Sequence, residues 1–317
     1  EHRLVDGPAG PLHLVEQGAG PLVLLLHGFP ETWHSWRHQL PALAAAGYRA
    51  VALDVRGYGR SVVPGDPSAY RMLDLVEDNA AVVHALGEES AVLVGHDWGA
   101  GIAANTALVR PELCRAVGLL GVPYSPRGAL RPSEAFARIG GDEEFYVRYF
   151  QEPGRAEAEI EPDVRSWLAG FYAGLSADTM PPGGDALFLV KPGARMADRF
   201  PSGVLPSWLS EAELDAVAAE FTRTGLTGAL NRYRNMDRDW EDLAPWDGAP
   251  VTQPSLYVAG AADASTKWLA DAVEAFPRTL PGLHATHLIE GCGHWVQQER
   301  PDTVNRLLVD WLGTLPH

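Results

Sequence analysis

The chain has two cysteines in 317 residues, Cys114 and Cys292, too few for a disulfide framework, so its fold must rest on packing. Lysine is nearly absent as well. Only Lys191 and Lys267 occur, arginine supplies the remaining positive charge, and we read this as codon bias rather than chemistry. Basic side chains number 25 against 41 acidic ones, a formal net charge of −16. Such a chain repels phosphate backbones and anionic headgroups, which argues against nucleic-acid and membrane-surface partners. No apolar run reaches bilayer-spanning length, and residues 1–10 hold no leader-like apolar segment, so a cytoplasmic location is expected. With 46% apolar and only 21% charged residues, the composition excludes a disordered chain and allows a sizeable core.

The hydrophobic pattern alternates between two periods. Short apolar runs at 22–26, 50–53, 91–94 and 117–120 read as strands buried on both faces, with helical spacing at 36–45, 72–86 and 100–109 between them. That alternation predicts a mostly parallel sheet covered by helices. From the Pro- and Gly-rich loop at 123–132 to about Trp240 only helical patterns are found, at 143–150, 162–173 and 211–224, with a breaker at Pro181-Pro182-Gly183-Gly184. Strands resume at 255–259 and 287–290, with helices at 266–276 and 301–312. The expected organisation is an α/β core over 1–125 and 245–317, interrupted by a helical cap over 126–244.

Gly95-His96-Asp97-Trp98-Gly99 follows one of these strands and opens a helix. This is the spacing of a nucleophile elbow, a strained turn whose flanking positions must be small. Aspartate is also a favoured helix cap, but a cap alone does not account for two flanking glycines after a buried strand. Asp263 follows the strand at 255–259, and His294 follows the strand at 287–290. Nucleophile, acid and histidine in this order, each past the carboxyl end of a strand, is the arrangement of the α/β-hydrolase fold.

Aspartate at the elbow narrows the reaction. A carboxylate that attacks an sp³ carbon forms an ester, which water can cleave, whereas a serine would leave an inert ether. The helix that begins at Trp98 favours the ionised carboxylate through its N-terminal dipole. Ester hydrolysis needs an oxyanion hole, for which the backbone N–H groups of Phe29 and Trp98 are the natural donors. An epoxide oxygen and a halide both fit as leaving groups. A neutral tyrosine suits the epoxide oxygen, and Tyr146, Tyr149 and Tyr233 are candidates that chemistry alone does not separate. No metal or organic cofactor is required.

The segments HGFPETWHSWR (27–37), DVRGYGRS (54–61), GHDWG (95–99), YFQEPG (149–154), NRYRNM (231–236) and GCGHW (291–295) together resemble the epoxide hydrolases of the α/β-hydrolase fold. The similarity is to the C-terminal catalytic domain of the mammalian soluble enzyme in particular. It spans almost the whole chain, and its cap segments are the specific part, since GHDWG also occurs in haloalkane dehalogenases. The resemblance implies a small-molecule epoxide and water as reactants. It implies Asp97 as nucleophile, Asp263 as acid, His294 as base, Tyr146 and Tyr233 as ligands of the epoxide oxygen, and Phe29 as an oxyanion donor before a Pro30 that is often cis. Trp33, Trp36, Tyr149, Phe150 and Met236 are expected to line the pocket. Oligomeric state and substrate preference are not carried by the motifs.

A haloalkane dehalogenase with the same triad is the competing reading. It needs two N–H donors for halide; Trp98 offers one, Phe29 has no side-chain donor, and a cap tryptophan such as Trp167 or Trp208 would have to supply the second. A non-catalytic binding protein of the same fold is the third reading, and such proteins usually lose a member of the triad. His34 and His38 stand four apart without an evident third metal ligand.

Overall fold

A computed structural model describes residues 1–182 and 187–316. The chain opens with an antiparallel hairpin, β1 (His2–Gly7), mostly exposed, and β2 (Gly10–Gln17), whose buried stretch Leu12–Val15 is interrupted by His13, so neither strand presents an unbroken apolar run. There follow β3 (Leu22–Leu26), α1 (Gln39–Ala45), β4 (Arg49–Leu53), α2 (Met72–Ala85), β5 (Ala91–His96), α3 (Trp98–Val109) and β6 (Cys114–Leu120). The insertion carries α4 (Pro132–Phe136), β7 (Glu144–Phe145), α5 (Tyr146–Tyr149), α6 (Arg155–Ile160), α7 (Val164–Leu175) and β8 (Leu189–Val190). It continues with α8 (Glu211–Thr224), α9 (Thr227–Arg234) and α10 (Met236–Asp242). The core resumes with β9 (Ser255–Gly260), α11 (Ala264–Trp268), α12 (Ala270–Glu274), α13 (Phe276–Thr279), β10 (Leu283–Ile289), α14 (Val296–Glu299) and α15 (Pro301–Leu312).

The main sheet runs β1-β2-β4-β3-β5-β6-β9-β10, antiparallel at β1/β2 and β2/β4 and parallel from there on. Its central strands are wholly buried, which is why β3 and β9 read as unbroken apolar runs. β10 alternates between half-buried and exposed residues because it is an edge strand, and it starts earlier than its apolar pattern. α15 lays Val304, Leu308, Trp311 and Leu312 along one buried stripe, as its 3.6-residue period requires.

Several expected elements differ in detail. The helix expected at 36–45 is a 3₁₀ turn, Trp33–Trp36, followed by α1. The helix expected at 266–276 is broken into α11, α12 and α13, the last with Pro277 in its first turn, where a proline has no N–H to lose. Residues 143–150, expected helical, begin with β7, which pairs antiparallel with β8 before α5 starts. Of the expected breaker, Gly183 and Gly184 lie outside the described residues.

The insertion is fastened to the core by polar contacts as well as by one continuous apolar cluster. Tyr172 donates its hydroxyl to the Pro30 carbonyl at 2.6 Å, the His294 N–H donates to the Leu175 carbonyl at 2.9 Å, and Arg37 pairs with Glu213 at 2.6 Å. The α8 N-terminus carries a capping box, in which the Glu213 N–H donates to Ser210 Oγ and the Ser210 N–H to Glu213 Oε2 at 2.9 Å.

Candidate active site

Four strand ends deliver the site: β3 leads into His27-Gly28-Phe29, β5 into Asp97, β9 into Asp263 and β10 into His294. Asp97 has φ 51° and ψ −119°, and among the described residues no other non-glycine has positive φ. Strain of this kind costs on the order of 1–3 kcal/mol and persists only where surrounding structure enforces it. The flanking glycines are steric necessities: a Cβ on Gly95 would stand 2.0 Å from the Gly99 carbonyl oxygen, and one on Gly99 would stand 2.0 Å from that of Leu26. Gly28 has the same character, since a Cβ there would lie 2.3 Å from Asp97 Oδ1.

The carboxylate is held at both oxygens. Oδ1 accepts the Phe29 N–H at 2.9 Å, and Oδ2 lies 3.6 Å from His294 Nε2. On its far side the imidazole meets Asp263, with Nδ1 3.0 Å from Oδ2, while Asp263 Oδ1 accepts the Ser265 N–H at 2.9 Å. Burial pushes the Asp97 pKa up, but His294, His96 and the Phe29 N–H outweigh it and hold the group below the ordinary aspartate value. Burial likewise opposes the imidazolium, yet Asp263 and Asp97 together raise His294 well above the ordinary histidine value. The pair therefore favours an ionised Asp97 carboxylate beside a protonated His294 ring.

Tyr146, on α5, and Tyr233, on α9, come down from the insertion onto the same cavity, with ring centroids 6.0 Å apart. Burial, the neighbouring carboxylates and, for Tyr233, the Tyr146 ring keep both phenols well above their ordinary pKa, so both stay neutral donors. The cavity holds about 520 Å³ and includes Asp97, Trp98, Phe29, His294 and Met236 in its wall. Phe145, Phe171, Phe188, Leu175 and Trp268 are among the other residues of a mainly apolar lining. A larger groove of about 620 Å³ on the insertion, between α7 and residues 195–205, includes none of the candidate catalytic residues.

Four expected lining residues lie elsewhere. Trp36 is fully buried in the cluster on one face of the sheet with Leu40 and Trp311, and Trp33 turns its ring edge-on to His2 at 5.2 Å. Tyr149 donates its hydroxyl to Glu159 at 2.6 Å, inside the insertion. Phe150 stands behind the cavity wall, edge-on to Phe29 at 5.5 Å and to Tyr233 at 5.1 Å, so it supports the tyrosine without lining the cavity. The two tryptophans considered as halide donors are already engaged: the indole N–H of Trp167 donates to Glu159 at 3.1 Å and that of Trp208 to Ser176 at 2.9 Å.

Sequence reading missed Glu31, two residues past Phe29 and 2% exposed. Its carboxylate meets His96 Nδ1 at 2.8 Å and accepts from the Gly28 N–H at 3.2 Å, Gln297 at 3.1 Å and Gln298 at 2.9 Å. His96 in turn reaches the His294 carbonyl at 2.8 Å, so one buried anion ties the oxyanion loop, the elbow and the histidine loop together. Its segment, HGFPETWHSWR, mixes polar and apolar residues and gives no local sign of burial, and its partners are scattered along the chain. Among the described residues no group of three or more His, Cys, Asp or Glu side chains is arranged to hold a metal.

Comparison with known proteins places this geometry in a family. Residues 21–301 match the family model of the alpha/beta hydrolase fold. Epoxide hydrolase B of Mycobacterium tuberculosis is 40% identical over 351 residues, covering 99% of this chain and 98% of that protein. The bifunctional epoxide hydrolase 2 of Sus scrofa is 36% identical over 314 residues, 97% of this chain and 54% of that protein. The solved structure of an epoxide hydrolase from an endophytic Streptomyces matches with a TM-score of 0.98 at 70% identity, covering 99% of this chain and 96% of that one.

Proposed function

As a member of the α/β-hydrolase-fold epoxide hydrolases the chain hydrolyses epoxides, and we propose that it does so through a covalent ester on Asp97. Tyr146 and Tyr233 donate to the epoxide oxygen while Asp97 Oδ2 attacks a ring carbon; the C–O bond breaks and its electron pair moves to the oxygen, which takes a proton. Alkylation removes the charge of Asp97, the pKa of His294 falls, and the proton the imidazolium gives up balances the one the alkoxide takes. Neutral His294, oriented by Asp263, then deprotonates a water that attacks the ester carbonyl. The carbonyl oxygen is Oδ1, which sits on the Phe29 N–H, with the Trp98 N–H as the second donor. Collapse releases the vicinal diol, whose oxygen takes the proton from His294, Asp97 keeps one oxygen from water, and the water's second proton passes from the Asp97 carboxyl to His294, restoring the starting ion pair.

The observation that carries this reading is the carboxylate of Asp97 at a strained strand-to-helix turn, with Oδ1 on a backbone donor and Oδ2 facing His294. We take residues 126–244 as the cap that brings the tyrosines. We place the protein in the cytoplasm, on two buried unpaired cysteines and a described structure in which no helix is long and apolar enough to cross a membrane. A single turnover with enzyme in excess over an aryl epoxide in heavy-oxygen water tests the mechanism. The expected diol carries no label at its new oxygen, and the label appears in the peptide bearing Asp97. Labelled diol in the first turnover would mean that water attacks the epoxide directly.

A further inference from the structure

Tyr233 is flanked by two arginines that reach in opposite directions. Arg234 holds to the insertion: it pairs with Glu157 at 2.8 Å, and its Nε donates to the Phe150 carbonyl at 3.2 Å. Arg232 reaches into the core and is 3% exposed. It pairs with Asp239 and donates to the Tyr70 carbonyl, and its guanidinium carbon lies 5.0 Å from the ring centroid of Trp98. Asp239 also accepts the N–H of Met72, the first residue of α2, at 2.6 Å. Trp98 directly follows Asp97 and meets the Tyr233 ring edge-on at 5.1 Å.

These contacts close a circuit from the Tyr233 segment to the elbow. The guanidinium, the indole and the phenol form one packed group, and Asp239 pins the group to the start of α2. A guanidinium suits this task because it is planar, always charged at neutral pH and able to stack and hydrogen-bond at once. Buried, it cannot exchange these partners for water without a large cost, so it holds one geometry. The oxygen of the opening epoxide must meet the phenol while a ring carbon meets Asp97, and small misplacements between two units weaken such a reaction steeply.

Resting on the reading of Tyr233 as a donor to the epoxide oxygen, we propose that Arg232 is a positioning residue for ring opening, tying the Tyr233 segment to the nucleophile elbow. Ester hydrolysis uses His294, Asp263 and the backbone N–H groups of Phe29 and Trp98, which the turn at Asp97 and the core hold; among these the strut touches only the Trp98 ring, so this step should depend on it far less.

The test separates the two chemical steps by rapid mixing of an aryl epoxide with excess enzyme. The proteins compared are wild type, Arg232→Met, Arg232→Lys, Tyr233→Phe and the Arg232→Met/Tyr233→Phe double variant. Arg232→Met is expected to slow alkylation roughly tenfold or more while ester hydrolysis stays within about threefold. Arg232→Lys keeps the charge and loses the planar guanidinium over the Trp98 ring, so its alkylation rate falls between the two. In the Tyr233→Phe background Arg232→Met should cost less than about twofold further, because the strut acts through the lost phenol. Equal loss in both steps, or a double variant as slow as the product of the singles, overturns the proposal. If Arg232→Met does not fold, Arg232→Lys takes its place in the same cycle with the same outcomes. Tyr233→Phe that opens the ring at the wild-type rate would instead remove the premise, the donor role of Tyr233.

Discussion

Replacing Asp97 by Asn should move the protonation of His294 down. In the wild type the ring lies 3.0 Å from Asp263 and 3.6 Å from Asp97, and these carboxylates outweigh burial to hold its pKa well above the ordinary histidine value. Two unit charges 3.6 Å apart attract by on the order of 4–5 kcal/mol at an effective dielectric constant near 20. Asparagine removes that term, preserves the shape and tolerates positive φ, while Asp263 stays in place. The variant is thus a neutral mimic of the alkylated nucleophile. Nitrogen-edited NMR of the imidazole side chains, with the His294 signals assigned by their loss in His294→Gln, reads the titration directly. The expected result is an imidazolium at neutral pH in the wild type and a lower titration in Asp97→Asn. A titration that does not move, or moves up, would refute the coupling and with it the argument that ester formation switches His294 from acid to base.

The same shift has a sign for stability. A raised folded-state pKa means that protonated His294 adds stability fully present below the unfolded-state value, ~6.5, and lost as pH rises through the folded value. Urea unfolding of the wild type should therefore show this contribution fading on the alkaline side, and Asp97→Asn should show less of it.

Tyr146→Phe and Tyr233→Phe each remove one hydrogen bond to developing alkoxide, about 1.5–3 kcal/mol, so stopped-flow alkylation rates should fall roughly 10- to 150-fold per tyrosine. Gly28→Ala would drive a methyl onto Asp97, 2.3 Å from Oδ1 and 2.4 Å from Cβ, and should lower kcat/KM by about two orders of magnitude and lower Tm as well, which steady-state kinetics and calorimetry read together. Trp268 meets the Phe188 ring at 4.5 Å and forms part of the cavity wall while 43% exposed, so Trp268→Ala should raise kcat/KM for bulkier epoxides relative to small ones. Arg56→Met would leave Asp78 buried without its 2.6 Å partner, and urea unfolding should show a loss of about 3–5 kcal/mol.

The candidate site was legible where it is written in consecutive residues. An elbow needs a strand, small flanking residues and a helix start, and all of these fall within a few positions of Asp97. Asp263 and His294 follow their strands closely, and a parallel sheet brings such loops to one edge whatever else the chain does. The motif-borne Tyr146 and Tyr233 reach the cavity, as does Met236. Trp33, Trp36, Tyr149 and Phe150 do not, because an aromatic on a helix has the same pattern whether its face turns toward a cavity, a sheet or a neighbouring helix. Glu31 and Arg232 make the same point for charge. Each is an ionic side chain in a sequence that reads as surface or motif edge, and each meets partners tens to hundreds of residues away: His96 and Gln297 for Glu31, Tyr70 and Trp98 for Arg232. Local sequence determined where the strained elbow and the loops carrying Asp263 and His294 fall, because backbone strain and strand ends are local properties. Only the tertiary structure decided what surrounds and aligns them, because burial, packing and charge compensation are properties of segments that meet only in space.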